Sequence, residues 1–134
     1  MKIAIIASVI VGLSFAASAA DPDVSKLPPP SAKKDLTYDK DIKSIFEKNC
    51  IKCHGPEKQK GKYRIDSLDA VIKGGESKEA AVVAGKSEKS PLVHYLGYIV
   101  EEMEMPPKDK EGKSRKLSDE DIGLVRAWVD QGAK

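Results

Sequence analysis

Apolar side chains recur at helical intervals in four stretches of this chain, each with its own start or stop signal. Ile42, Ile45, Phe46 and Ile51 fall close to a 3.6-residue period behind Thr37, an N-cap residue, which predicts an amphipathic helix over residues 38–49. Leu68, Val71 and Ile72 mark a short helix from Ser67 to Lys73, ended by Gly74-Gly75. Ser90-Pro91 pairs a capping hydroxyl with a proline at the first helical position and opens a helix over residues 91–101, with Leu92, Tyr95, Leu96 and Ile99 along one side. The last helix is the best specified. Ser118 caps it, Asp119, Glu120 and Asp121 fill its first turn, and Leu117 is placed to staple onto Ile122. Its buried stripe is Ile122, Val125, Trp128 and Val129, and Gly132 stops it. No stretch alternates as a strand does and no repeat is present, so the pattern predicts an all-helical domain with long loops.

The N-terminal residues carry address rather than fold. Lys2 precedes an apolar run over residues 3–15, and small residues from Ala16 to Ala20 precede Asp21. This is the pattern of a secretory signal peptide over residues 1–20, and the run is short for a retained membrane anchor. Residues 21–36, with Pro22 and Pro28-Pro29-Pro30, read as an extended, mobile tether that adds nothing to the core. The domain proper then spans residues 37–134. With 23 basic and 21 acidic side chains the charge is close to balance, which points to neither nucleic acid nor a membrane surface. The expected location is the periplasm or another exported compartment, without stable membrane insertion once the leader is removed.

The chemistry concentrates in Cys50-Ile51-Lys52-Cys53-His54, which holds the only two cysteines of the chain. Two thiols at this spacing can each add across a vinyl group of one haem, and the histidine that follows is then held beneath the iron. A zinc site would need further ligands, and a thiol redox site would leave His54 without a role. A thioredoxin-like βαβ pattern around the motif is also lacking.

A haem iron has a second axial position. Candidates are Met105, Met103 and His94, or the site is open. Met105 precedes Pro106-Pro107 in a loop rich in Lys, Gly and Asp, where proline stiffens the backbone and holds a thioether on a non-helical segment. Met103 lies two residues back, and His94 falls off the apolar side of its helix. Apolar walls for the group can come from Phe46, Tyr63, Leu68, Ile72, Leu92, Leu96 and Trp128.

Together with Arg64-Ile65-Asp66, Met105-Pro106-Pro107 and Trp128-Val129-Asp130-Gln131-Gly132-Ala133, the haem motif makes the chain resemble the small class I-like cytochromes c. The likeness is nearest to the planctomycete-type cytochrome c domain and runs from about Tyr38 to Ala133. The resemblance implies a small cytochrome c-like helical domain wrapped around one covalently attached haem c. It implies thioether bonds at Cys50 and Cys53, His54 as proximal and Met105 as distal iron ligand, and Arg64 near a propionate, although an ion pair with Asp66 or Asp69 would look the same. The function expected is a soluble monohaem electron carrier, not an enzyme, serving redox protein partners. Lysines around the motif and after Met105 are placed to steer an acidic partner. The alternative is a haem protein with a labile or open sixth position, acting in peroxidase-like or small-gas binding chemistry.

Overall fold

The computed structural model describes residues 21–134; the leader expected at residues 1–20 lies outside them. The described chain runs through a 3-10 turn (Val24–Lys26), a π-helical turn (Tyr38–Ile42) continuing into α1 (Lys43–Asn49), a 3-10 turn (Lys60–Lys62), α2 (Leu68–Lys73), a 3-10 turn (Ser87–Lys89), α3 (Pro91–Leu96) and α4 (Asp119–Asp130). Among the described residues the only β pairing is an isolated bridge between His54 and Gln59. The all-helical expectation holds.

The first helix begins where its sequence signals place it. Thr37 Oγ1 accepts from the Lys40 amide at 3.4 Å, and Asp41 Oδ2 accepts from the Thr37 amide at 2.9 Å. Two amides that a helix N-terminus leaves unpaired are thereby satisfied. Tyr38, Ile42, Ile45 and Phe46 are buried by this helix. Tyr38 sits 6.3 Å from the Phe46 ring and 6.2 Å from Trp128, which ties the first helix to α4. The Lys134 carbonyl closes the arrangement by accepting from the Tyr38 amide at 2.7 Å and from Trp128 Nε1 at 3.0 Å.

Helix α4 starts as expected, with Ser118 Oγ accepting from the Asp121 amide at 3.0 Å. Its stripe of Ile122, Val125, Trp128 and Val129 is fully buried, but so are Gly123, Arg126 and Ala127 on other sides. The cover over those sides is the segment expected to be a mobile tether, and that expectation is corrected. Leu27 and Leu36 are in the core, at 7% and 3% exposure. Burying two leucines stabilises by roughly 1.5–3 kcal/mol each, which the original reading of residues 21–36 left out. The Ser31 amide donates to the Gly123 carbonyl at 2.9 Å, Gln131 Nε2 donates to the Lys33 carbonyl at 2.8 Å, and Arg126 donates to the Pro28 carbonyl. Proline removes donors without preventing close packing, so a proline-rich strap can lie against a helix as readily as it can leave it.

Two further differences concern α3. It ends at Leu96 rather than near residue 101, because Gly97 packs against Leu27 and Tyr98 turns into the left-handed region at φ 59°. Ser90 does not cap it through its side chain. The hydroxyl instead donates to the Lys86 carbonyl and accepts from the Val83 amide, both at 2.9 Å, which pins the loop ahead of the helix.

A β-carbon on Gly123 would meet the Pro29 carbonyl oxygen at 2.7 Å. Glycine to alanine inside a helix ordinarily stabilises by up to about 1 kcal/mol. With the strap in place, Gly123→Ala should instead destabilise by about 1–3 kcal/mol in thermal melts; a gain in stability would mean that residues 28–31 do not lie on α4.

Tyr38 generates a pH prediction. Its hydroxyl donates to the Ile65 carbonyl at 2.6 Å, and burial, reinforced by the Asp66 carboxylate, raises its pKa from 10.0 to about 12. In that window the folded chain keeps a proton that the unfolded chain has lost, so stability falls as pH climbs from 10.0 towards about 12. Tyr38→Phe should flatten this alkaline limb while costing about 1 kcal/mol near neutrality through the unpaired Ile65 carbonyl. Melting temperatures across the range read both effects.

Candidate functional site

Helix α1 delivers Cys50, whose amide bonds to the Phe46 carbonyl at 2.7 Å as the C-cap. The chain then tightens, with the Cys53 and His54 amides both donating to the Cys50 carbonyl, at 3.0 and 2.9 Å. This turn brings His54 back beside Cys50. Its Nδ1 lies 3.2 Å from the Tyr63 carbonyl, and its ring meets the Tyr63 ring edge-on at 5.5 Å. A carbonyl only accepts, so Nδ1 carries the proton and Nε2 keeps its lone pair. That is the arrangement of a ligating histidine whose second nitrogen fixes its tautomer and tilt.

Cys50, His54, Tyr63, Leu92, Leu96 and Met105 line one cavity of about 290 Å³. Its other apolar lining includes Ile65 and Ala81, while Lys60, Glu76 and Glu79 bring charge to it. Met105 arrives from beyond α3 and is held there by backbone contacts. Its amide donates to the Tyr95 carbonyl at 3.0 Å. The Tyr98 hydroxyl donates to the Pro106 carbonyl and accepts from the Arg115 amide at 3.3 Å, so one side chain clamps the loop on both sides of its turn. Glu104, between the two methionines, pairs with Lys108 at 2.8 Å.

Not every candidate joins this group. Met103 lines the same cavity but is 41% exposed. Cys53 is half-buried beside it without forming part of the lining. His94 is elsewhere, its Nε2 lying 2.9 Å from the Glu88 carbonyl. Phe46 and Trp128, expected as cavity walls, are fully buried in the core instead, and Leu68 and Ile72 pack on that core. Arg64 makes a two-pronged ion pair with Asp66, at 2.9 and 2.5 Å, and does not line the cavity. The steering lysines are likewise mixed with acids here, since Lys60 shares the cavity with Glu76 and Glu79. Tyr98 and the Tyr63 carbonyl were not found from the sequence. The first is one aromatic in a loop, and the second is a main-chain atom that no residue type announces.

The Cys50 thiol fits an anchoring role better than a redox one. Burial, with Cys53 adding to it, pushes the Cys50 thiol up to about 12, the opposite of the lowered pKa of reactive cysteines. Thioether formation needs a sulfur positioned at a cofactor's edge, and Cys50 lies on the cavity wall with an unencumbered imidazole nitrogen nearby.

Residues 50–109 match the family model described as Planctomycete cytochrome C. This stretch, which holds the haem motif and Met105, is similar to that family's cytochrome c domain. Such a domain implies covalently attached haem c, and the residues on the cavity fit that group. No curated protein and no solved structure matches the chain. Among the described residues no helix is long and apolar enough to cross a membrane.

The position of His94 in the cytochrome domain sets a test. His94→Gln should leave the visible spectrum of the haem-loaded protein unchanged and lower stability by about 1 kcal/mol or less, the worth of one exposed hydrogen bond. A change of iron spin state in this variant would place His94 at the metal.

Proposed function

We propose that the protein is an exported monohaem c-type cytochrome that passes single electrons between redox proteins. Cys50 and Cys53 would carry the thioether bonds, and His54, through Nε2, and Met105 would bind the iron. The observation that carries this reading is the convergence of Cys50, His54 and Met105 on one cavity from segments far apart in the sequence. When bound, haem supplies one-electron exchange between ferric and ferrous iron.

The chain's own part is positional. The Tyr63 carbonyl accepts from Nδ1, which orients the His54 ring and leaves Nε2 available as a ligand. Tyr95 and Tyr98 fix the backbone around Met105, so its thioether is offered from a braced loop. A soft sulfur ligand favours the ferrous state and raises the potential relative to two histidines. Leu92, Leu96 and Tyr63 give the cavity apolar walls, which lowers the polarity around the site. With His54 and Met105 both bound to iron, oxygen and peroxide would find no free coordination site, which favours a carrier over a catalyst.

Export rests on the leader pattern at residues 1–20 and agrees with haem attachment outside the cytoplasm. Redox proteins are the partners this reading requires. Because the cavity carries Lys60 beside Glu76 and Glu79, docking would depend on the arrangement of charges rather than on a uniformly basic rim.

The test is spectroscopic, on protein produced in a host that attaches c-type haem. The wild type should be low-spin and unmoved by carbon monoxide when reduced. Met105→Ala should bind carbon monoxide and have a lower reduction potential. Prompt carbon monoxide binding by the wild type would instead favour the open-site alternative. An unchanged Met105→Ala protein alongside an altered Met103→Ala protein would move the distal ligand to Met103.

A further inference from the structure

We propose that a second cavity, behind the backbone of residues 74–76, binds a compact phosphate-bearing anion of two or more charges. It measures about 380 Å³, and four cationic side chains line it, Lys62, Arg64, Lys73 and Lys78, against the single carboxylate of Glu76. Of these cations only Arg64 has a carboxylate partner among the described residues. Its ion pair with Asp66 uses Nε and Nη2, so Nη1 is not part of it.

Three lysines line one concavity, and an anion there would turn their mutual repulsion into attraction. The backbone supports the gathering. Lys62 and Lys78 both adopt left-handed conformations, at φ 53° and 62°, which residues with a β-carbon disfavour. Both are lysines on the same cavity, so unfavourable backbone geometry coincides with the placing of two of its charges. Phosphate oxygens accept from ammonium groups and from a guanidinium edge in many directions, and a diphosphate can span several donors at once. The concave shape suits a small ligand more than the flat face of a partner protein. Residues 74–76 also line the first cavity, so the two sites share a wall. The binding itself does not depend on the haem reading.

Inorganic pyrophosphate titrated calorimetrically into the haem-loaded protein, at fixed moderate ionic strength, tests the site. Saturable one-to-one binding is expected. Lys73→Gln with Lys78→Gln should weaken it at least tenfold, whereas the same charge loss at Lys110 and Lys113 should leave it within about twofold. All four lysines are exposed, and an unchanged haem spectrum and melting temperature confirm that each variant is folded. No saturable heat with the wild type, or equal weakening by the two lysine pairs, would overturn the proposal. Because the titration follows pyrophosphate and not iron, its failure is distinct from failure of the functional reading.

Discussion

Burial of α4 on nearly every side is the constraint around which this small domain is organised. A helix that presents only one stripe to a core leaves its other faces wet, and a chain this short then has little interior to share with a cofactor. Here the strap formed by residues 27–36 covers the faces that the stripe does not. Gly123 gives it room to approach, and Arg126 and Gln131 bond to its carbonyls. Arg126 also reaches Ser87, which is held by Asp130. A buried guanidinium is costly unless its donors are met, and here they meet a carbonyl, a hydroxyl and Glu88. With Trp128 and Phe46 supplying the centre of the core, the space between α1, α3 and the methionine loop is left open.

Main-chain atoms hold the key residues of the cavity in place. One carbonyl orients His54, another anchors the Met105 amide, and the Cys50 carbonyl folds the haem motif into a turn. Such contacts tolerate side-chain change, since what they need is the course of the chain rather than a particular residue type. The exceptions are the Tyr98 hydroxyl, which reaches across its loop, and the Tyr63 ring against His54. A domain with short helices and long loops therefore holds its site through loop backbone that is itself pinned to α3 and to the core.

The four helices were legible in the sequence because each combined apolar spacing with chemical punctuation. Thr37, Ser118 and Gly74 mark their ends where the backbone places them. The motif Cys50-Ile51-Lys52-Cys53-His54 named a chemistry without the fold, because the spacing of thiols and imidazole is itself the requirement. Residues 21–36 were misread since proline content speaks of local stiffness and says nothing about a neighbour to pack on. The end of α3 was misplaced for a related reason. Tyr98, Ile99 and Val100 continue an acceptable helical pattern, and only the approach of Leu27 to Gly97 shows why the helix stops there. The assignment of Phe46 and Trp128 to cavity walls failed because hydrophobicity alone does not separate a core residue from a cofactor contact.

The strap has a mechanical meaning as well as a packing one. Leu27 touches the domain at Gly97, where α3 stops and the segment leading to Met105 departs. The N-terminal approach to the domain and the segment leading to Met105 therefore share one joint, separate from the turn that holds His54.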